Sequence, residues 1–185
     1  MEENDSTYLL AFIRITHAIS SSLDLREVLH LIVKSTCETT GSKGCTLLLL
    51  DEGGRRLEIK SSSGLSDRYL GKGPLTADKS ISDTLRGKPV IIEDATSDPM
   101  VQYPEEAKRE GIASIVSVPI TLRGRIIGVL RLYTSVPCRF TREDIDFLCA
   151  IAVQSGLVIE NAKMYEHAAR RNHERIRVSP SLEVG

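Results

Sequence analysis

The chain has 185 residues, of which 41% are hydrophobic, 26% charged and 4% aromatic, with no tryptophan and a formal net charge of −1. That size and composition suit one globular domain with its own core. They exclude a global basic field for nucleic acid or anionic membrane, and leave few rings for stacking on bases or sugars.

The opening MEENDSTYLLAF lacks the basic start and long apolar run of a secretion signal. No apolar segment is expected to reach the ~20 residues that a bilayer demands. Residues 6–22 predict a helix, with Leu9, Phe12, Ile13, Thr16 and Ile19 on one stripe. Asp24 starts a second helix with Glu27 as capping-box partner, Leu25, Val28, Leu29, Ile32 and Val33 form its apolar face, and Gly41 ends it. CTLLLLDE (45–52) reads as a strand covered on both faces, and RLEIKSSSG (56–64) as its hairpin partner. Residues 64–79, with Gly64, Gly71, Gly73 and Pro74, read as mostly loop.

Ser80 and Asp83 predict a short capped helix ending near Gly87, followed by the strand VIIED (90–94). PEEAKRE, with Pro104 in its first turn and Gly111 after it, predicts a brief helix. SIVSVPI (114–120) and RIIGVLRLY (125–133) are strands joined across Arg123-Gly124. Thr141 and Asp144 cap a long last helix whose stripe runs Leu148, Ile151, Ala152, Val158, Ile159, Ala162, Tyr165 and Ala169; residues 178–185 read as a frayed tail. Short turns make both strand pairs antiparallel. The expected fold class is α+β in α/β/α layers, a central antiparallel sheet with helices on both faces.

SISDTLRGKPVIIEDATSDP, EGIASIVSVPITLRGRIIGVLRLY and FTREDIDFLCAIAVQSGLVIENAKMYE, in that order after LDLREVLHLIVKSTCETTG and TLLLLDE, resemble the GAF domain family over residues 20–166. The resemblance implies a sheet of five to six strands with the terminal helices on one face. The short helices and loops of residues 64–112 would cover a ligand pocket on the other. It divides the chain into an N-terminal signalling helix (1–22), the domain itself (23–166), and a helical extension with a disordered tail (167–185).

Departures from the family's subclasses narrow the ligand. Cyclic-nucleotide-binding members carry an Asn-Lys pair, a Phe, then Asp-Glu. Phe140 and Asp144 keep their places here, but Thr134 and Ser135 stand where Asn-Lys would, and Ile145 replaces the Glu. Residues 95–111 contain neither Cys nor His, so a covalent bilin has no attachment point. His17, His30, His167 and His173 all fall on terminal helices, leaving haem ligation in the pocket unsupported. No cofactor is expected.

Seven residues are candidate ligand contacts, each beside a plainer role. Arg131 shares a strand face with Ile127, Val129 and Tyr133, opposite Gly128, Leu130 and Leu132. Gly128 is expected to admit a terminal helix closely. Arg131 then points to the covered side as a clamp for an anion, or pairs internally with Asp94 or Glu93. Asp94 either touches ligand or caps its loop through an Asx-turn. Ser114 and Ser117 offer hydroxyls to a ligand or to nearby backbone. Ser80, Ile81 and Thr84 open a short helix whose amides hold an anion or are simply capped.

Cys37, Cys45, Cys138 and Cys149 include no C-x-x-C pair, and Cys138, beside Arg139, is the thiol expected to be most exposed and most acidic. Free methionine-R-sulfoxide reductases share this fold and use pocket-loop cysteines, yet residues 64–136 contain none, so no enzyme is expected. The expected function is that of a stand-alone sensory domain in the cytoplasm, dimeric through its end helices. It binds a small molecule, anions among the candidates, and signals to a partner such as a histidine kinase or regulator. A ligand-free dimerisation scaffold is the alternative.

Overall fold

The computed structural model describes residues 2–21, 24–76 and 81–178, with residues 2–5, 18, 20–21 and 166–178 described in backbone alone. In chain order the elements are α1 (Glu2–Ser21), α2 (Leu25–Thr39), β1 (Gly44–Leu50), β2 (Arg56–Ser63), α3 (Asp67–Leu70) and β3 (Leu75–Thr76). They continue with a 3-10 turn (Thr84–Arg86), β4 (Val90–Ile92), α4 (Pro104–Glu110), β5 (Ser114–Leu122), β6 (Arg125–Thr134) and α5 (Arg142–Val178). One antiparallel sheet of order β3-β2-β1-β6-β5-β4 separates two layers.

The period of two along each strand decides which layer a side chain joins. Cys45, Leu47 and Leu49 of β1, Val116, Val118 and Ile120 of β5, and Leu130 and Leu132 of β6 meet α1, α2 and α5 in the main core. The alternate residues Leu48, Ile115, Val129 and Tyr133 face two smaller clusters built by residues 57–112. Arg123 and Gly124 join β5 to β6 with φ of 48° and 75°, the pair of positive values that a tight hairpin turn takes. Arg123 Nε lies 2.7 Å from Glu160, tying that turn to α5.

Several expectations change in detail. Residues 64–76, the described part of the segment 64–79, are more ordered than their glycines suggest: Ser66 caps α3 by accepting from the Tyr69 N–H, and Leu75–Thr76 pairs with β2. The predicted helix 80–87 shrinks to one 3-10 turn, closed by Gly87 at φ 90°. On α1 the buried side is Ala11 and Ile15 with Tyr8, Phe12 and Ile19, while Leu9 and Ile13 are 60% and 53% exposed. A Cβ on Gly128 would overlap the Leu48 carbonyl oxygen of β1, so the close approach there is strand on strand. The close approach of helix to sheet occurs instead at Gly156 of α5, where a Cβ would stand 2.9 Å from the Thr121 carbonyl.

Residues Arg142–Tyr165 of α5 are, by length and composition, apolar enough to cross a membrane at mean hydropathy 1.4, contrary to the expectation that no segment reaches that size. Here 44% of that window is buried in protein, with Phe147, Leu148, Ile151, Ala152, Val158 and Ile159 in the main core.

The start of α5 is fastened to α1. The Thr141 N–H donates to Asp144 (2.7 Å) and the Asp144 N–H to Thr141 Oγ1 (3.2 Å), closing the capping box. The Tyr8 hydroxyl donates to the other Asp144 oxygen, and its ring stacks on Phe147 with centroids 4.5 Å apart. Burial, then Asp144, pushes the Tyr8 phenol well above its usual range. Tyr8→Phe keeps the stack and removes only the bond to the carboxylate. We expect it to cost about 1.5–3 kcal/mol, read as a lower urea midpoint at unchanged slope. An unchanged midpoint would show that this contact contributes nothing to the fold.

Candidate functional site

A polar row crosses the otherwise apolar loop-covered face of the sheet. Thr46 of β1 is paired with Arg131 of β6, and Arg131 with Ser117 of β5, so the three side chains stand abreast on that face. All three are buried, Arg131 at 3% exposure. The neighbouring row holds Tyr133, whose hydroxyl lies 3.1 Å from Thr46 Oγ1. Arg131 sits beside the Tyr133 ring, 5.8 Å from its centroid. Burial raises the Tyr133 phenol, keeping it a neutral hydroxyl near pH 7.

The cover over this row brings a second cation. Tyr69 of α3 meets Tyr133 edge to face at 5.8 Å, and Lys72 Nζ sits 3.6 Å above the Tyr69 ring while donating to the Tyr69 carbonyl at 3.1 Å. Burial first, then the Arg131 charge, pulls the Lys72 ammonium down to about 8, against weaker opposition from Glu110 and Glu106. A cavity of about 230 Å³ adjoins it, lined by Leu48, Leu57, Leu75 and Tyr133 as well as Lys72.

The 3-10 turn closes over β5 and β6. Ile81 packs with Leu48 and Val129, and Thr84 is fully buried. The hydroxyls of Thr84 and Ser117 are buried without a hydrogen-bond partner among the described residues, an arrangement that costs free energy unless something polar fills it.

Of the seven candidates, Arg131, Ser117, Ile81 and Thr84 are therefore brought to one face, and Ser80 lies outside the described residues. Asp94 and Ser114 are placed elsewhere. Asp94 is exposed and accepts from the Thr96 N–H (2.9 Å), Thr96 Oγ1 (2.6 Å) and Ser97 Oγ (2.6 Å), which lower its carboxyl to about 2. That is the Asx-turn role. Ser114 has the other strand parity; it donates to the Glu93 carbonyl (2.7 Å) and accepts from the Cys138 N–H (3.0 Å). Thr134, at the position of the cyclic-nucleotide motif's Asn-Lys, donates to the Val136 carbonyl at 2.7 Å.

A separate cleft of about 650 Å³ at the sheet edge is lined by Asp94, Lys108, Cys138 and Arg139. Burial, then Asp144, raises the Cys138 thiol, opposite to the expected acidification by Arg139. Cys37, Cys45 and Cys149 belong to the helix-side core. Among the described residues no three His, Cys, Asp or Glu side chains gather as a metal site.

Sequence reasoning missed Thr46, Tyr69 and Lys72. Thr46 is the one polar residue inside TLLLL, and only the β1–β6 register reveals its partner. Lys72 lies between Gly71 and Gly73 with no periodic signal at all.

The family model described as GAF domain matches residues 22–160. A stretch of 71 residues, 38% of this chain, is 38% identical to a probable 3′,5′-cyclic phosphodiesterase of Caenorhabditis elegans, covering 9% of it. Over 171 residues, 89% of this chain, identity is 26% to a methyl sulfide methyltransferase-associated sensor of Methanosarcina acetivorans, covering 17% of it. The chain thus spans less than a fifth of either relative. Among solved structures, the GAF domain of a phosphoenolpyruvate-protein phosphotransferase from Coxiella burnetii superposes with TM-score 0.79 at 22% identity, over 89% of this chain and 99% of that one. A free methionine-R-sulfoxide reductase from Neisseria meningitidis, solved with its substrate, gives 0.74 at 18% identity, over 87% and 93%. Both likenesses concern fold.

Proposed function

The chain belongs to the GAF domain family, and on that premise we propose that it is a cytoplasmic sensory module. A small molecule binds at Arg131 under the cover of residues 67–76 and 81–87 and shifts the arrangement of α1 and α5 within a homodimer. The signal passes to a partner such as a histidine kinase or regulator. The observation that carries this reading is the buried row Thr46–Arg131–Ser117, polar groups set into an apolar face opposite the terminal helices. Ligand binding biases a two-state element only if the two states hold the ligand differently. The 3-10 turn over β5 and β6 is the part of the cover that such a difference would move.

The reading is non-catalytic. None of the four thiols stands on the face of Arg131: three lie in the helix-side core and Cys138 lines the edge cleft. A thiol reductase on this face would therefore lack its nucleophile.

Dimerisation is supported by apolar side chains left in water. Val153, Leu157 and Met164 on α5 are 52%, 46% and 60% exposed at helical spacing, and Leu9 and Ile13 of α1 are exposed as well. Sedimentation should give twice the monomer mass for the wild type and the monomer for Leu157→Glu. A thermal-shift screen of nucleotides, carboxylic acids and inorganic anions should find a class that raises Tm. A monomeric wild type with no stabilising compound would end the sensory reading, and a dimer with none would favour the scaffold.

A further inference from the structure

The loop between α3 and β3 sets an amine against apolar surface. Lys72 is half-exposed, with Nζ 3.6 Å from the Tyr69 ring centroid and one N–H spent on the Tyr69 carbonyl at 3.1 Å. The ring and the carbonyl together fix where the nitrogen stands. The cavity of about 230 Å³ beside it is walled by Leu57 of β2, Leu70 of α3, Leu75 of β3 and Tyr133 of β6. Glu58 borders it too. Its ladder partner is Leu49, which joins the helix-side core, and its carboxylate lies 2.7 Å from Lys60. Lys72 therefore carries the strongest nucleophile among the residues that line this cavity.

An amine attacks carbon only when unprotonated. Burial, then Arg131, holds the Lys72 ammonium down at about 8, with Glu110 and Glu106 opposing weakly. About a tenth is then free amine at pH 7, against roughly 0.04% for a lysine at ~10.4. Desolvation beside a second cation is an arrangement that turns a lysine toward carbonyl chemistry. The neighbouring walls are hydrocarbon and ring, which suit an uncharged body. The volume equals roughly eight waters at ~30 Å³ each, room for a short chain or one ring.

We propose that Lys72 captures a small apolar aldehyde as an imine, the hydrocarbon body lying in the cavity between Leu57, Leu75 and the Tyr133 ring. The amine nitrogen bonds to the carbonyl carbon, and the C–O π pair moves to oxygen. The carbinolamine then loses that oxygen as water, which carries off both amine hydrogens, and C=N replaces C=O. No electron is gained or lost overall. Protonated, the imine keeps one N–H for the Tyr69 carbonyl and a charge for the ring. Hydrolysis reverses the step, so occupancy follows the aldehyde level. Neither Arg131 nor Ser117 lines the cavity. This is a second site, and its failure leaves the sensory reading at Arg131 untouched.

The test treats the full chain with dilute butanal and sodium cyanoborohydride, which reduces the imine to a stable butylamine that peptide mass mapping locates. At pH 7 the first butyl group should fall on Lys72, at least about tenfold faster than on any other lysine. The α-amino terminus titrates near the same range and is the internal reference. Lys72 should prefer butanal to the hydroxylated glyceraldehyde by at least about fourfold, the equivalent of one buried methylene, and the terminus should not. Lys72→Arg keeps a cation over the ring without a primary amine. It should hold its Tm and lose the fast phase of labelling.

The lead of Lys72 over other lysines should shrink about tenfold between pH 7 and 9, because its free amine saturates while theirs keeps rising. The other charged or titratable groups around it are Arg131 and Tyr133 of β6, Tyr69 of α3, Glu106 and Glu110 of α4, and Glu58 of β2. Both phenols are pushed up out of that window. Labelling of Lys72 at the pace of the other lysines, or a fast phase that survives in Lys72→Arg, would overturn the proposal. So would a lead without preference for butanal, which would mark an acidic amine with no pocket.

Discussion

Arg131→Ala is expected to lose binding of an anionic ligand by two orders of magnitude or more in calorimetry while the domain stays folded. Truncating one member of a buried, hydrogen-bonded charge pair costs about 2–5 kcal/mol, or some 30- to 5,000-fold in Kd. Much of that cost is the ligand charge left in a site of low dielectric. The unliganded protein faces two opposing terms. A vacated buried volume destabilises it, and removal of a like charge beside Lys72 relieves it. Its Tm should therefore move by only a few degrees. The same change should raise the Lys72 ammonium back toward its ordinary range, since Arg131 is the second cause of its depression after burial. Full retention of affinity would show that the polar row is structural and that the ligand lies elsewhere.

Gly128→Ala should be strongly destabilising. Gly128 faces Leu49 in the β1–β6 ladder, and an added Cβ would run into the Leu48 carbonyl oxygen and stand 2.8 Å from the Leu49 side chain. Backbone cannot rotate away as a side-chain tip can, so the two central strands must part. Overpacking costs typically about 1–3 kcal/mol, and here a ladder bond is also at risk. We expect at least about 3 kcal/mol, or a Tm lower by roughly 6–12 °C for a chain of this size. Gly156→Ala meets the Thr121 carbonyl at 2.9 Å, where α5 can lift by a few tenths of an ångström, and should cost less. Equal Tm values for the two variants would contradict this account of the strand contact.

The residues that spoke clearly in the sequence were those whose role is local. The Asp24 cap, the Gly41 and Gly111 terminators, the Thr141–Asp144 box and the Arg123-Gly124 hairpin each depend on neighbours within a few positions. Strand alternation alone put Arg131 on the covered face, and burial at 3% agrees. What depends on register or on distant chain was hidden. Gly128 announces a close approach without saying to what, and only the pairing with β1 answers. Leu9 and Ile13 carry the same apolar signal as Ala11 and Ile15, because spacing of three and four fits two overlapping stripes on one short helix. Asp94 and Ser114 are chemically suitable for ligand contact, but their hydrogen bonds close on local backbone and hydroxyl groups. Lys72 was invisible because a lysine flanked by glycines has the look of any solvated loop.

The helix that begins at Asp144's cap leaves the protein core at Ile159 yet continues to Val178. Eighteen residues beyond Glu160 make a rod of about 27 Å at ~1.5 Å rise per residue. Gly156, where that rod rests on the Thr121 carbonyl, lies near its fulcrum. A tilt there of about 5°, small enough for side chains to follow, sweeps the far tip, about 33 Å away, through roughly 3 Å. A sub-ångström repacking of β5 beneath the helix would thus be geared up, by length alone, into a displacement of several ångströms at the far tip.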